Sequence, residues 1–279
     1  MAQHAIGRFA VWNLAGFSFN GQGIAPGSDK ARRQAEGLAL LDADFVCLVE
    51  VSPLAHIDTL AQMLADDYGV TYAATILEQP GSALHIGFLH KPDVTVENPR
   101  FIPGSQGDYD RGRLALAVDV RMGKFRAIVV GVHLKSGRDK PDQNLRDTQC
   151  RVIGDWLSTV RDTPGLGHRT LVLMGDFNMI PGQDVSNFHH LGGDDVMDFL
   201  SSWDLQDRFS HILDRGRANL LDGFAVSRTF SRDYERGSLR LFPMNWTMDT
   251  DSSHPGMGRE RFKEEVSDHL PFTASFRVF

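Results

Sequence analysis

Short runs of apolar residues alternate along the chain with segments in which apolar residues recur at helical spacing. The spacing predicts three helices, at residues 28–41, 53–65 and 144–160, and the second begins with a proline near its first turn. The short apolar runs predict strands. These lie at residues 8–14, 44–51, 70–77, 84–91, 114–120, 125–132, 170–174, 220–226 and 272–278.

The strands outnumber the helices, and two of them form a hairpin around Met122 and Gly123. This pattern favours an α/β chain of the α+β type, with helices covering mixed sheets, over a simple doubly wound fold. No repeat or linker interrupts the pattern, so we expect a single domain over residues 1–279. Two stretches, 181–195 and 232–266, are expected to be long loops, which often carry function.

Six apolar runs each end at side chains that bind metal ions or move protons. In chain order these residues are Asn13, Glu50, His133, Asp176 with Asn178, Asp222, and Asp268 with His269. If the strands are neighbours, their ends converge on one rim and share a cleft. A lone Asp or Asn at a strand end is more often a turn residue, and His133 alone is equally compatible with a core histidine. Six coincidences together favour a functional site.

Carboxylates at these positions indicate a metal site. Glu50 closes a strongly apolar strand, and a partly buried carboxylate needs a cation or hydrogen-bond donors. Glu50 is therefore the leading ligand for a hard cation such as Mg²⁺, and Asn13 and Asp268 would complete or orient its ligand shell. Mn²⁺ can substitute, because it accepts the same ligands. The absence of a cysteine and histidine cluster argues against zinc as the obligatory ion.

The same set of residues suits hydrolysis of a phosphate ester, which requires charge neutralisation, an aligned water and stabilisation of the leaving oxygen. If Asp176 and Asn178, two residues apart, lie on one extended segment, their side chains point to the same side. Asp176 is then the candidate for positioning or deprotonating the attacking water. Asn178 would hold a phosphate oxygen and orient that water.

Composition narrows the class of protein. The 279 residues carry a formal net charge of −7, which argues against a broad DNA-coating surface but leaves nucleic-acid substrates open. The two cysteines, Cys47 and Cys150, are expected to be free thiols, which favours a reducing compartment. No secretory signal and no apolar segment long enough to span a membrane are visible, so we expect a cytoplasmic protein, and we assume a monomer.

Several motifs occur in one order over nearly the whole chain, and the pair Gly-Asp-Phe-Asn and Ser-Asp-His-Leu-Pro is specific. With these motifs the chain resembles the endonuclease/exonuclease/phosphatase family, whose members include deoxyribonuclease I, abasic-site endonucleases and neutral sphingomyelinases. The resemblance implies a four-layer sandwich in which two mixed β-sheets pack face to face with helices outside. The matching pieces are Trp12-Asn13, Leu48–Val51, Arg113, Gly131–Gly137, Met174–Asn178, Leu221-Asp222, Val226-Ser227 and Ser267–Pro271.

The resemblance also implies roles for residues outside the metal site. It pairs His269 with Asp222, although Gly223 replaces the bulky residue that follows this aspartate in the family. Such a pair favours the imidazolium, which can hold a phosphate oxygen or assist proton transfer. His133 would contact phosphate near the leaving group. Arg113 would clamp phosphate, and a surface salt bridge is the alternative. The other candidate partners are Asp214 and Asp249 for His269, and Glu78 for His133.

Three functions remain open at this stage. The first is a metal-dependent phosphodiester hydrolase whose leading candidate substrates are DNA and RNA, which would make the protein a nuclease. The second is hydrolysis of a small-molecule or lipid phosphoester, sphingomyelinase-like or acting on sugar or inositol phosphates. The third is a non-catalytic binding module, which the intact residue set disfavours. Basic residues before Asp268 could follow a phosphate backbone, but their acidic neighbours favour a solvated loop.

Overall fold

The computed structural model describes residues 6–16, 22–108, 112–200, 205, 209–213, 218–248 and 256–279. Its strands form two mixed sheets of six strands each, with a two-stranded ribbon of β10 and β11. The strands are β1 (Ile6–Asn13), β2 (Phe45–Val51), β3 (Ala73–Ile76), β4 (His85–His90), β5 (Thr95–Phe101), β6 (Leu116–Met122), β7 (Phe125–His133), β8 (Thr170–Asp176), β9 (Met197–Phe199), β10 (His211–Ile212), β11 (Ala218–Asn219), β12 (Asp222–Ser227), β13 (Arg240–Leu241) and β14 (Phe272–Arg277).

Six α-helices and a 3-10 helix at Arg228–Asp233 complete the described elements. Ser28 caps the first helix by accepting a hydrogen bond from the N–H of Ala31, as its position before an apolar periodic segment predicts. None of the helices in the described ranges is long and apolar enough to cross a membrane. The α-helices are α1 (Asp29–Leu41), α2 (Ala55–Tyr68), α3 (Lys140–Asp162), α4 (Val185–Leu191), α5 (Met244–Thr247) and α6 (Arg259–Glu265).

Each sheet is built around one parallel pair of strands. The first sheet has the order β13-β14-β1-β2-β4-β3 and the second the order β5-β6-β7-β8-β12-β9. The parallel pairs are β1 with β2 and β7 with β8, and the other neighbours are antiparallel. Both sheets are therefore mixed, and each presents two carboxyl-terminal strand ends side by side.

Alternation along the strands creates three apolar layers. Phe9 and Val11 of β1 pack between the two sheets, whereas Ala10 and Trp12 of the same strand pack against the helices of the first sheet. On the second sheet, the opposite faces of β7 and β8 likewise divide between the inter-sheet core and α3. Because successive side chains point to opposite faces, the chain forms the four-layer sandwich that the resemblance implies.

The structure corrects several sequence-based boundaries. The segment 181–195 contains α4, and 232–266 contains β13, α5 and α6, so neither is a loop throughout. Helix α2 begins two residues after Pro53 and not at it. Strand β5 was not predicted, because it contains Pro99 and three charged or amide residues and so lacks the apolar run that indicates a strand. It lies at the edge of its sheet, where a proline is tolerated.

Candidate active site

The ends of strands from both sheets meet at one end of the inter-sheet core. Asn13 and Asp176 end central strands of opposite sheets, and the Nδ2 of Asn13 donates to Oδ2 of Asp176 over 3.1 Å. His133 and Asp222 follow the same alternation as the core residues of their strands and therefore face inward. All four side chains are buried. The site is the polar cap of the inter-sheet core.

Glu50 reaches this cap only because β2 breaks its alternation. Strict alternation would place Glu50 on the helix-facing side with Leu48. The pairing of β2 with β4 shifts register between Leu48 and Val51, and Glu50 has a left-handed φ of 58°. Both Leu48 and Val51 pack against the helices, which leaves Glu50 free to turn towards the second sheet. Its Oε1 lies 3.5 Å from Nε2 of His133.

His133 is a neutral histidine surrounded by charge. Burial, with the positive charges of Arg113 and His269, lowers its pKa well below the ordinary value. Its Nε2 lies 3.7 Å from Oδ2 of Asp176, so Asp176 and Glu50 are the carboxylates beside it, not Glu78. Arg113 donates to the carbonyl oxygens of His133 and Leu134, at 3.2 and 3.0 Å. The structure thus places Arg113 against the chain turn that follows β7.

Asp176 and Asn178 are close but do not lie on one extended segment. Asn178 has a φ of 50°, and its N–H donates to Oδ1 of Asp176 over 2.9 Å, which makes a tight turn after β8. The expectation that Asp176 and Asn178 lie on one extended segment is therefore wrong, although the turn keeps the two residues in contact. Burial, with the negative charges of Asp222 and Glu50, raises the pKa of Asp176 to about 7.

Asp222 and His269 form a close pair. The Nδ1 of His269 lies 2.7 Å from Oδ2 of Asp222, and Asp222 stands opposite Asp176 in the antiparallel register of β12 and β8. Burial alone would lower the pKa of His269, but the charge and hydrogen bond of Asp222, with the charges of Asp176 and Asp268, raise it to about 10. His269 is therefore an imidazolium at neutral pH. The alternatives Asp214 and Asp249 lie outside the described residues.

Two residues that the sequence did not single out join the site beside Asp268. His211 stacks on the ring of His269 with centroids 4.6 Å apart, and its Nε2 lies 3.5 Å from Oδ2 of Asp268. Burial opposes the charge of Asp268, but the hydrogen bond of His211 and nearby positive charges, including Lys30, lower its pKa to about 2. His211 belongs to the short ribbon and Lys30 to α1, and neither follows a strand-like run that would have marked it.

Comparison with known proteins identifies the architecture. No family model and no curated protein sequence matches the chain. Among solved structures, D. rerio TDP2 complexed with single strand DNA product superposes with a TM-score of 0.67 at 16% identity, covering 98% of this chain and 99% of that one. An endonuclease/exonuclease/phosphatase family protein from Bacteroides thetaiotaomicron gives 0.65 at 13% identity, with 98% of each chain covered. The chain has the endonuclease/exonuclease/phosphatase fold.

A mannosyl-6-phosphatase from Bacteroides thetaiotaomicron shares the endonuclease/exonuclease/phosphatase fold. Its TM-score is 0.69 at 12% identity, and the match covers 96% of this chain and 98% of that one. At such identities the likeness shows the fold alone. The three structures are a complex with a DNA product, a member of the endonuclease/exonuclease/phosphatase family and a sugar phosphatase, so the fold by itself does not select a substrate.

The residues present fit a divalent cation in this endonuclease/exonuclease/phosphatase fold. Asp176 and Asp222 offer carboxylate oxygens within 4.8 Å of one another, and Asp268 offers one within the same distance of a ring nitrogen of His211. His269 lies beside both groups, but as an imidazolium it adds positive charge and does not serve as a ligand. Asp222 Oδ1 is buried and has no hydrogen-bond partner among the described residues. Crowded carboxylates and an unpartnered carboxylate oxygen are the donor set that a hard cation satisfies.

Proposed function

We propose that the protein is a divalent-metal-dependent phosphoester hydrolase that acts on phosphodiesters. The observation that carries this proposal is the buried ion pair of Asp222 and His269, which lies beside Asp176. Asp176 itself has a pKa of about 7, close to neutrality. A fixed cation and a nearby carboxylate that can exchange a proton are what hydrolysis of an anionic ester requires. The fold, shared with phosphatases and with TDP2, supports the same class of reaction.

Phosphate recognition falls to His269 and Asn178. The charged ring of His269 is fixed by Asp222, so its Nε2–H can donate to a non-bridging phosphate oxygen at any pH below about 10. Asn178 uses one N–H of its amide to bind the carbonyl of Leu134 and can offer the other to phosphate. Both donors are held by buried partners, which reduces the entropy lost on binding.

Asp176 is the proposed base. A carboxylate with a pKa of about 7 can accept the proton of the attacking water, whose oxygen bonds to phosphorus while the bond to the leaving oxygen breaks. His133 is neutral because of its lowered pKa, so we assign it a hydrogen bond to the ester near the leaving oxygen and not proton donation. Arg113 supports the turn beside His133 and adds positive charge there.

Glu50 and Asp268 are the proposed metal ligands, and Asn13 orients the shell through its bond to Asp176. A bound Mg²⁺, which Mn²⁺ can replace, would supply charge neutralisation at the phosphate and the leaving oxygen. The side chain of Glu50 is 23% exposed. This proposed ligand therefore lies where the ester and the ion can enter from solvent. The low pKa of Asp268 keeps this second ligand ionised.

DNA or RNA is the first candidate substrate, because TDP2 of the same fold binds a single strand DNA product. A small or lipid phosphoester is the second candidate. The ion pairs of Arg228 and Arg261 favour it, because they occupy positive charges that a nucleic acid would need. Arg228 binds Asp195 and Asp198, and Arg261 binds Glu265, so these arginines are neutralised by acidic neighbours. A nucleic-acid surface would instead leave such charges facing phosphate.

Hydrolysis of a substrate panel tests the proposal. Supercoiled DNA, single-stranded DNA, RNA, sphingomyelin, inositol phosphates and bis-para-nitrophenyl phosphate are assayed with Mg²⁺, with Mn²⁺ and with a chelator. We expect turnover that the chelator abolishes and that Asp176→Asn reduces by about 100-fold or more, because the variant cannot accept a proton. Leu40→Asn, on the outer face of α1, is the control. Metal-independent turnover, or full activity of Asp176→Asn, would contradict the proposal.

A further inference from the structure

An apolar pocket opens beside the Asp222 end of the site. It has a volume of about 340 Å³, which lies within the roughly 300–1,000 Å³ typical of small-molecule sites. Asp222 lines it, as do Phe177 and Met179 of the turn that carries Asn178. The pocket and the proposed phosphate site therefore share the same turn and the same carboxylate.

Three phenylalanines form the aromatic wall of this pocket. The rings of Phe177, Phe188 and Phe199 pack edge to face, with centroid separations between 4.9 and 6.3 Å and interplanar angles between 81° and 86°. This arrangement fixes the rings against one another and leaves ring surface towards the pocket. Phe177 lies in the turn after β8, Phe188 in α4 and Phe199 in β9. Two strands of the second sheet and the helix α4 therefore hold this aromatic wall in place.

The remaining lining is apolar and partly open to solvent. Leu220 and Phe224 line the side formed by β12 and the residues before it. Gly223, between Asp222 and Phe224, adds no side chain, and a Cβ there would lie 3.2 Å from the ring of Phe177. Val185 on α4 lines the pocket and is 64% exposed. An exposed apolar side chain beside an apolar pocket extends the surface that a ligand can cover.

We propose that this pocket receives an aromatic or compact apolar group that is joined to the phosphate through an ester oxygen and stays on phosphorus when the leaving group departs on the His133 side. The inference rests on the proposed function, because the phosphate is then held by His269 and Asn178 next to the pocket. Such a group gains free energy by leaving water, whereas a sugar or a second phosphate would lose its hydration against three phenylalanine rings. The substrate class is therefore a phosphoester with an apolar substituent.

Two diesters with one leaving group test the pocket. Para-nitrophenyl phenyl phosphate and para-nitrophenyl methyl phosphate are compared by kcat/KM with Mg²⁺, each divided by its uncatalysed rate. We expect the phenyl ester to be preferred by about 10- to 100-fold, from the burial of one ring. Phe188→Gln should reduce this preference about tenfold, and Val185→Asn about two- to threefold, because both put polar groups on the pocket surface.

The controls separate this inference from the proposed function. Leu40→Asn changes an exposed apolar residue on α1, far from the pocket, and should leave the preference unchanged. Equal kcat/KM for the two esters, or a preference that Phe188→Gln does not alter, overturns the pocket while leaving hydrolysis intact. If neither ester is hydrolysed, the proposed function fails. The pocket is then tested by calorimetry, which compares the affinities of phenylphosphonate and methylphosphonate. Tighter binding of phenylphosphonate, weakened in Phe188→Gln, supports it, and equal binding overturns it.

Discussion

Two histidines of the same site differ in charge, His133 being neutral and His269 positively charged, because their neighbours differ. Burial acts on both rings, but His269 has Asp222 at 2.7 Å, whereas the nearest carboxylate oxygen to His133, on Glu50, is 3.5 Å away. The pKa of His269 rises to about 10, and that of His133 falls well below its ordinary value. A hydrogen-bonded carboxylate outweighs desolvation, and a more distant one does not.

A third histidine, His56, predicts how stability depends on pH. It is fully buried in α2, and neither ring nitrogen has a hydrogen-bond partner among the described residues. Burial, with the charge of Lys30, lowers its pKa to about 4. In the unfolded chain the His56 ring is protonated below about pH 6.5, whereas in the folded protein it is protonated only below about pH 4. The contribution of His56 to the unfolding free energy is therefore highest above pH 6.5 and falls by up to about 3 kcal/mol as the pH drops towards 4.

Replacing the ring tests this dependence. His56→Leu removes the titrating group and two unpartnered polar atoms, so its unfolding free energy should fall less between pH 6.5 and 4 than that of the unmodified protein. Urea denaturation at several pH values measures the difference. His168→Leu, at an exposed histidine, is the matched control. Parallel pH curves for His56→Leu and the unmodified protein would exclude the histidine as the source.

At the scale of elements, the bulge in β2 positions Glu50, the proposed metal ligand. Glu50 has a left-handed backbone, and its carbonyl oxygen lies against Gly16 in the segment after β1. A Cβ on Gly16 would stand 1.8 Å from that oxygen, and the N–H of Gly16 also donates to Oε2 of Glu50 over 3.2 Å. The close approach therefore requires a glycine and holds both the backbone and the carboxylate of Glu50.

The variant Gly16→Ala is expected to displace Glu50. It should lower unfolding free energy by about 2 kcal/mol or more, because a backbone oxygen has to move, and it should weaken Mg²⁺ binding about tenfold or more. Gly69→Ala at the end of α2 is the comparison, since Gly69 also has a left-handed φ but no atom within 4 Å of its Cβ position. It should cost about 1 kcal/mol and leave metal affinity unchanged. Equal effects of the two variants would contradict the role of the close approach.

Across the whole molecule, the carboxylates of Glu50, Asp176, Asp222 and Asp268 come from separate segments of the chain and gather at one rim, and burial with the charges of Asp222 and Glu50 raises the pKa of Asp176. Asn13 already ties the sheets together by its bond to Asp176. If Glu50 and Asp268 hold a metal ion as proposed, its positive charge would offset the repulsion that raises the pKa of Asp176. Because unfolding disperses these residues, ion binding should stabilise the sandwich as a unit.

Thermal unfolding measures this coupling. Mg²⁺ at about 100 times its dissociation constant should add about 2.7 kcal/mol to the unfolding free energy, which corresponds to a rise in Tm of about 5 °C or more. The chain has a net charge of −7, so NaCl at matched ionic strength is the control for screening. Glu50→Gln should lose most of the shift. An identical response to MgCl₂ and NaCl would reject a specific ion site.

The amino-acid sequence by itself determined most strands, the alternation that divides three apolar layers, and the polar residues at the strand ends, because these are local properties of the chain. It did not predict β5, the turn at Asn178 or the bulge that directs Glu50 towards the second sheet. Strand β5 is tolerated because it lies at a sheet edge, and the turn and the bulge each need a residue with left-handed φ, which residue propensities do not predict.

Only the tertiary structure brought His211 and Lys30 to the site and built the pocket beside Asp222. These arrangements join segments that are distant along the chain, so no window of sequence contains them. The neutral state of His133 was decided in the same way, because burial and distances to groups on other segments set it, whereas the resemblance had already implied the pair of His269 with Asp222 and hence its imidazolium.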